Sequence, residues 1–136
     1  MNLDLLYTIP LYFGNDIIPK YIHCLFALLT GVLIYRHLNK RLGQSYGVFG
    51  ALFFLSVPII IKLSITVYVD LGLVFFTTAS LLLLLYWAER QFPWHLLILA
   101  GLCCGLAAGT KYNGLLSIIV LTLLVPLLYQ QSSSAA

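Results

Sequence analysis

The sequence predicts an all-α, polytopic membrane bundle of about five short transmembrane helices, preceded by an N-terminal interfacial segment. Three observations predict it. First, 62% of the 136 residues are hydrophobic and only 8% are charged, too little charge to hydrate the surface of a soluble domain. Second, the apolar residues fall in continuous runs close to the ~20 residues that a helix needs to cross a bilayer. Third, those runs are dominated by Leu and Ala and do not alternate with period two, which argues against a barrel. Helices also satisfy their own backbone groups in lipid, as isolated strands cannot.

Residues 1–17 are apolar and aromatic but interrupted by Pro10, Gly14 and Asp16. They are expected to lie along the membrane surface, with Tyr7, Tyr12 and Phe13 at headgroup level; a buried re-entrant segment is the alternative. No Lys or Arg precedes Lys20, so the N-terminus does not have the form of a secretory signal. The five spans are expected at 18–38, 44–61, 71–88, 94–110 and 112–129, the third being the purest. Residues 130–136 form a polar tail. Several spans are short enough to require tilt or local thinning of the bilayer.

Orientation follows from the loops. Arg36, His37, Lys40 and Arg41 cluster between the first two spans, and the positive-inside rule puts that loop in the cytoplasm. Alternation adds the Glu89–Pro93 loop to the same side, flanked by Trp87 and Trp94. The N-terminal stretch, Lys62–Asp70 and the Lys111–Asn113 turn then lie outside. The chain is expected in a bacterial inner membrane. The net charge of +3 contains no long basic run, so nucleic acid is not an expected partner. Cys24, Cys103 and Cys104 lack the spacing of a metal site or a disulfide framework. Gly101, Gly105 and Gly109 recur every four residues on the fourth span, beside Ala100, Cys104 and Ala108. That small-residue face is expected to pack closely on a neighbouring helix, or to form a dimer contact.

Charges at membrane depth need a reason. Asp70 opens the purest span. It either complements the helix dipole or serves as a carboxylate facing an outer cavity, able to bind a metal, a sugar hydroxyl or an acceptor. Lys111 precedes Tyr112, Asn113 and Gly114. With Asn113 capping the fifth helix, Lys111 beside the free N–H groups would form an anion site for a lipid phosphate; a snorkelling lysine is the other reading. Lys62 and Lys20 share that outer face as anchors or as helpers. His23, about one turn from Lys20, reads as a helix-packing histidine, with a cavity-facing one as the alternative, and His37 and His95 as structural. No HExxH, GxSxG, P-loop or dinucleotide-binding pattern occurs.

The runs VYVDLGLVFFTTASLLLLLYWAE (67–89) and LAGLCCGLAAGTKYNGLL (99–116) resemble membrane glycosyltransferases of the GT-C fold. The resemblance is to the dolichyl-phosphate-mannose–protein mannosyltransferase-like group, which includes the aminoarabinose transferases of lipid A. YIHCLFALLTGVLIYRHLNKRLG (21–43) and a helix ending at Pro58 follow in that group's order. Tyr68-Val69-Asp70 and Gly109-Thr110-Lys111-Tyr112 carry most of the likeness. The resemblance implies a partial GT-C fold and inverting transfer of a sugar from a polyprenyl-phosphate donor to an acceptor on the non-cytoplasmic face. By that likeness Asp70 matches the second acidic position near the site and is the candidate catalytic residue of this chain, and Lys111, Tyr112, Asn113 and Lys62 lie on the donor-phosphate side. A divalent metal is a possible cofactor. The family pattern opens with a further span and an outer loop carrying the principal acid, and neither Asp4 nor Asp16 matches it. The chain therefore reads as a transferase or a fragment of one, with a possible complementing membrane chain. The alternatives are a non-catalytic assembly subunit or remnant, and a small lipid-handling or transport protein.

Overall fold

The computed structural model describes residues 2–14, 17–64, 66 and 68–133. Asp16 and residues 134–136 of the expected tail lie outside them. The described residues form seven helices: α1 (Asn2–Tyr12), α2 (Ile17–Leu42), α3 (Gln44–Ser56), α4 (Pro58–Ser64), α5 (Asp70–Glu89), α6 (Trp94–Thr110) and α7 (Asn113–Ser133). No strand occurs among them. α2, α5 and α7 are each long and apolar enough to cross a membrane. The chain is thus an integral helical membrane bundle.

The second expected span, 44–61, is a broken one. Pro58 has no N–H and pushes the residue before it out of the helical region. Val57 accordingly adopts φ −62°, ψ 123°, and α3 and α4 meet at 66°. Counted together they make a fourth candidate crossing. α6 has 17 residues, about 25 Å at 1.5 Å per residue, somewhat less than a hydrocarbon core of about 30 Å.

α2, α5 and α7 run in the same direction. Near the start of α5, Leu71 packs with Ala27 and Ile60, and Phe75 lies 5.5 Å from Phe26. Near its end, Tyr86 lies 5.7 Å from His37 of α2, and Phe92 lies 5.0 Å from Tyr129 of α7. The buried face of α2 (Pro19, His23, Ala27, Thr30, Gly31) repeats at helical spacing. Polar side chains in this apolar setting find backbone acceptors. Thr30 Oγ1 donates to Phe26 O at 2.7 Å and Thr110 Oγ1 to Leu106 O at 2.8 Å. Ser80 Oγ instead donates across to Ala100 O at 2.8 Å, tying α5 to α6, and the Thr77 and Ser117 hydroxyls meet at 3.3 Å between α5 and α7.

Two turns set the spacing at the α5 C-terminal end. Gly43 joins α2 to α3 with φ 101°, a left-handed conformation that glycine adopts without steric cost. The α5–α6 turn achieves its reversal without glycine. Gln91 (φ 58°) and Phe92 (φ 62°) are both left-handed, and the Phe92 N–H donates to Trp87 O at 3.0 Å in a Schellman-type closure. The hydrophobic contact that accompanies such closures is present, with the Phe92 and Trp87 rings 4.7 Å apart.

The glycines that permit close packing are not the ones expected. A Cβ on Gly101 or Gly105 would meet nothing within 4 Å, so those two residues of the expected stripe face open space in this chain. α6 packs instead through Ala100, Cys104, Ala107 and Thr110. The tight contacts lie elsewhere. A Cβ on Gly47 of α3 would sit 2.9 Å from Tyr35 O of α2. One on Gly114 of α7 would collide with the Ala107 backbone and come within 2.6 Å of Ala108 Cα. Helical periodicity marks a small-residue face without saying which neighbour fills it, and the part of α6 that meets Gly114 of α7 is Ala107 and Ala108.

Gly114→Ala is therefore expected to destabilise the detergent-solubilised chain by about 1–3 kcal/mol, the usual cost of overpacking. Gly101→Ala and Gly105→Ala should be neutral or stabilising by up to ~1 kcal/mol through helix propensity. Thermal unfolding followed by circular dichroism separates the two outcomes.

Candidate functional site

Asp70 and Lys111 come together at one end of the bundle. Asp70 is the first residue of α5, where a negative charge complements the helix dipole. Lys111 follows α6 in an extended conformation (φ −153°, ψ 151°), which ends the helix and swings the side chain back toward α5. The Lys111 Nζ donates to Asp70 Oδ1 at 2.6 Å, the short distance of a charge-assisted hydrogen bond. Both side chains are about 30% exposed, at 32% and 28%, so an incoming group can reach the pair from solvent or headgroup level. The hydrogen bond from the Lys111 ammonium to the Asp70 carboxylate, reinforced by the opposite charge, holds Lys111 above its ordinary value.

The neighbouring expected residues are arranged differently. Tyr112 is exposed at the surface beside the pair. Asn113 is itself the first residue of α7 and is exposed. Two amides of that first turn are engaged within the chain, Gly114 N–H with Lys111 O at 2.8 Å and Leu115 N–H with Tyr112 O at 3.0 Å. The helix terminus therefore has fewer free donors than expected, and the Lys111 ammonium is the main cationic group at this point. Lys62 lies exposed in the last turn of α4, and its carbonyl accepts from Thr66 Oγ1 at 3.2 Å. The Asp70 carboxylate is bonded to Lys111 and not to Lys62.

One group near this end was undervalued in the sequence. His23 is fully buried, its Nδ1 lies 3.3 Å from the Tyr7 hydroxyl of α1, and its Nε2 has no hydrogen-bond partner. α1 reaches this spot because Leu3 and Tyr7, one turn apart, are buried on one of its faces. Leu3 fits over Gly72, where any Cβ would collide with it. The sequence signal existed as the matched one-turn spacings Leu3/Tyr7 and Pro19/His23. Pro10 and Gly14 hid the helix that made the first of them meaningful.

Among the described residues no three His, Cys, Asp or Glu side chains gather as metal ligands. Asp70, bonded to an ammonium, does not supply a ligand set on its own.

The other end of α5 is electrostatically different. Glu89 pairs with Arg41 and lies 4.0 Å from Lys40. The two charged ends are separated by the 20 residues of α5, about 30 Å at helical rise. Fold and site together define a polytopic membrane protein with a carboxylate–ammonium pair, Asp70–Lys111, at one end of its bundle. Residues 11–133 match the family model described as dolichyl-phosphate-mannose-protein mannosyltransferase, and the chain belongs to this family of membrane glycosyltransferases. Comparison with curated proteins and with solved structures gave no match.

The raised pKa of Lys111 gives its pair a defined pH window. Its contribution to stability is fully present below the unfolded lysine value near 10.5 and is lost as pH rises through the higher folded value. The difference in melting temperature between the wild type and Lys111→Met should be constant from pH 6 to about 9.5 and shrink only above the unfolded value. A difference that instead changes near neutral pH would assign the titration to another group.

Proposed function

We propose that the chain takes part in transfer of a sugar from a polyprenyl-phosphate donor to an acceptor hydroxyl on the non-cytoplasmic face of a bacterial inner membrane. The supporting observation is the Asp70–Lys111 pair, held at one end of the bundle in a chain of this family. In the resting protein each group satisfies the other. A donor phosphate brought to the same depth competes for the Lys111 ammonium, which is a point charge on a flexible stem and can turn to it. The ammonium then stabilises the negative charge that develops on the departing lipid phosphate. Losing that partner frees Asp70 Oδ1 to accept the proton of the attacking hydroxyl. Tyr112, exposed beside Lys111, lies where a headgroup sugar or isoprenoid would be met.

The orientation rests on charge. Arg36, Lys40, Arg41 and Arg90 gather in the two loops at one end, against Lys20, Lys62 and Lys111 spread over the rest of the sequence. The positive-inside rule puts the basic end in the cytoplasm and the Asp70–Lys111 pair outside.

A second reading, a non-catalytic assembly subunit, is favoured by the open Gly101 and Gly105 positions on α6. It predicts a stable complex with another membrane protein and transfer by the complex alone.

Membranes carrying the chain and a labelled polyprenyl-phosphate mannose test the enzyme reading through release of polyprenyl phosphate. Asp70→Asn is expected to lower the rate on the order of 100-fold or more, the scale of a lost general base. Lys111→Ala should lower it comparably, with partial recovery in Lys111→Arg. Unchanged release in both variants would remove these residues from the site.

A further inference from the structure

A cavity of about 590 Å³ opens between α2 and α5 at the basic end of the bundle, far from the Asp70–Lys111 pair. Its wall is graded in the same sense along both helices. On α2, Leu33 is followed by Arg36 and Lys40, one turn apart on one face. On α5, Leu82 is followed by Tyr86 and then by Arg90 at the helix end. Because α2 and α5 run in the same direction, the two gradients coincide. The cavity is apolar toward the middle of the bilayer and cationic at the membrane surface.

The cations are not used up within the chain. Arg41 pairs with the Glu89 carboxylate, and Lys40 lies 4.0 Å from that carboxylate and over the Tyr86 ring at 4.7 Å, a cation–π arrangement that holds its ammonium at the rim. Arg36 and Arg90 have no ion pair among the described residues. Like charges lining one cavity repel each other unless an anion joins them.

We propose that this cavity binds one anionic phospholipid of the surrounding bilayer. Its phosphate lies between Arg36 and Arg90, with Lys40 beside it, and an acyl chain follows Leu33 and Leu82. Charge complementarity selects the headgroup: the forked guanidinium donors match phosphate oxygens, and the apolar part of the wall matches the chain of a lipid already at that depth. A zwitterionic lipid carries its own cation into the cluster and gains less. The bound lipid adds a bridge between α2 and α5 at the end where Arg41 and Glu89 already join them.

The full chain is reconstituted with equal amounts of phosphatidylglycerol and phosphatidylcholine, extracted in mild detergent, and its retained lipid counted by native mass spectrometry. Preferential retention of phosphatidylglycerol is expected. At about fivefold per interfacial cation, Arg36→Gln with Arg90→Gln should reduce that preference on the order of twentyfold, and Arg36→Gln alone by about fivefold. Lys20→Gln, an exposed lysine at the other end, should leave it unchanged. Leu82→Trp, which keeps every charge but fills the apolar part, should also lower retention. Equal retention of the two lipids by the wild type, or an undiminished preference in the arginine variants or in Leu82→Trp, would overturn the proposal. So would full displacement of the lipid by millimolar inorganic phosphate, which would indicate a bare anion site. None of these outcomes depends on sugar transfer.

Discussion

The Asp70–Lys111 ion pair is the constraint around which this end of the bundle is organised. A lone carboxylate or ammonium at membrane depth is unfavourable, and pairing removes the difficulty for both. The pair also fixes geometry. Asp70 begins α5 and Lys111 lies between α6 and α7, so a 2.6 Å bond between them ties three helices at one point. The extended backbone at Lys111 and the missing side chain at Gly114 are the local features that let α6 and α7 approach closely enough for this.

The same bond links structure to chemistry. A pair that satisfies itself is stable at rest, and in the proposed function its two members supply one cation and one proton acceptor. Partial exposure of both groups leaves them reachable. His23 and Tyr7 stand behind them in a buried layer, with the His23 Nε2 still unpaired. At the opposite pole Arg36, Lys40 and Arg90 line the cavity between α2 and α5.

Much of this was legible in the sequence. The helical membrane class follows from composition and run length, and family membership from the residues around Asp70 and Lys111. The opposition of the two charged loops is visible as alternation of spans. What was not legible depends on tertiary contact. Pro58 marks a boundary, but the size of the bend at Val57 depends on what α3 and α4 pack against. The Gly101/Gly105/Gly109 repeat has the right period for close packing, yet Ala107 carries the contact with α7, because period alone does not choose among faces of an almost wholly apolar helix. Gly47 and Gly72 lacked any repeat to draw attention and proved to be packing positions. Asn113 looked like a cap and is instead the first helical residue, a shift of one position that changes which amides are free.

The central claim is that the Lys111 ammonium exchanges Asp70 for a donor phosphate. The chain has only four lysines, Lys20, Lys40, Lys62 and Lys111, so a ¹⁵N-lysine NMR spectrum in detergent can be assigned by single substitution. Titration with polyprenyl monophosphate should move the Lys111 ammonium resonance in a saturable way, and the movement should persist in Asp70→Asn with tighter binding, since the competing carboxylate charge is gone. A Lys111 resonance that stays fixed at saturating lipid phosphate, while the Lys62 resonance moves, would contradict the account.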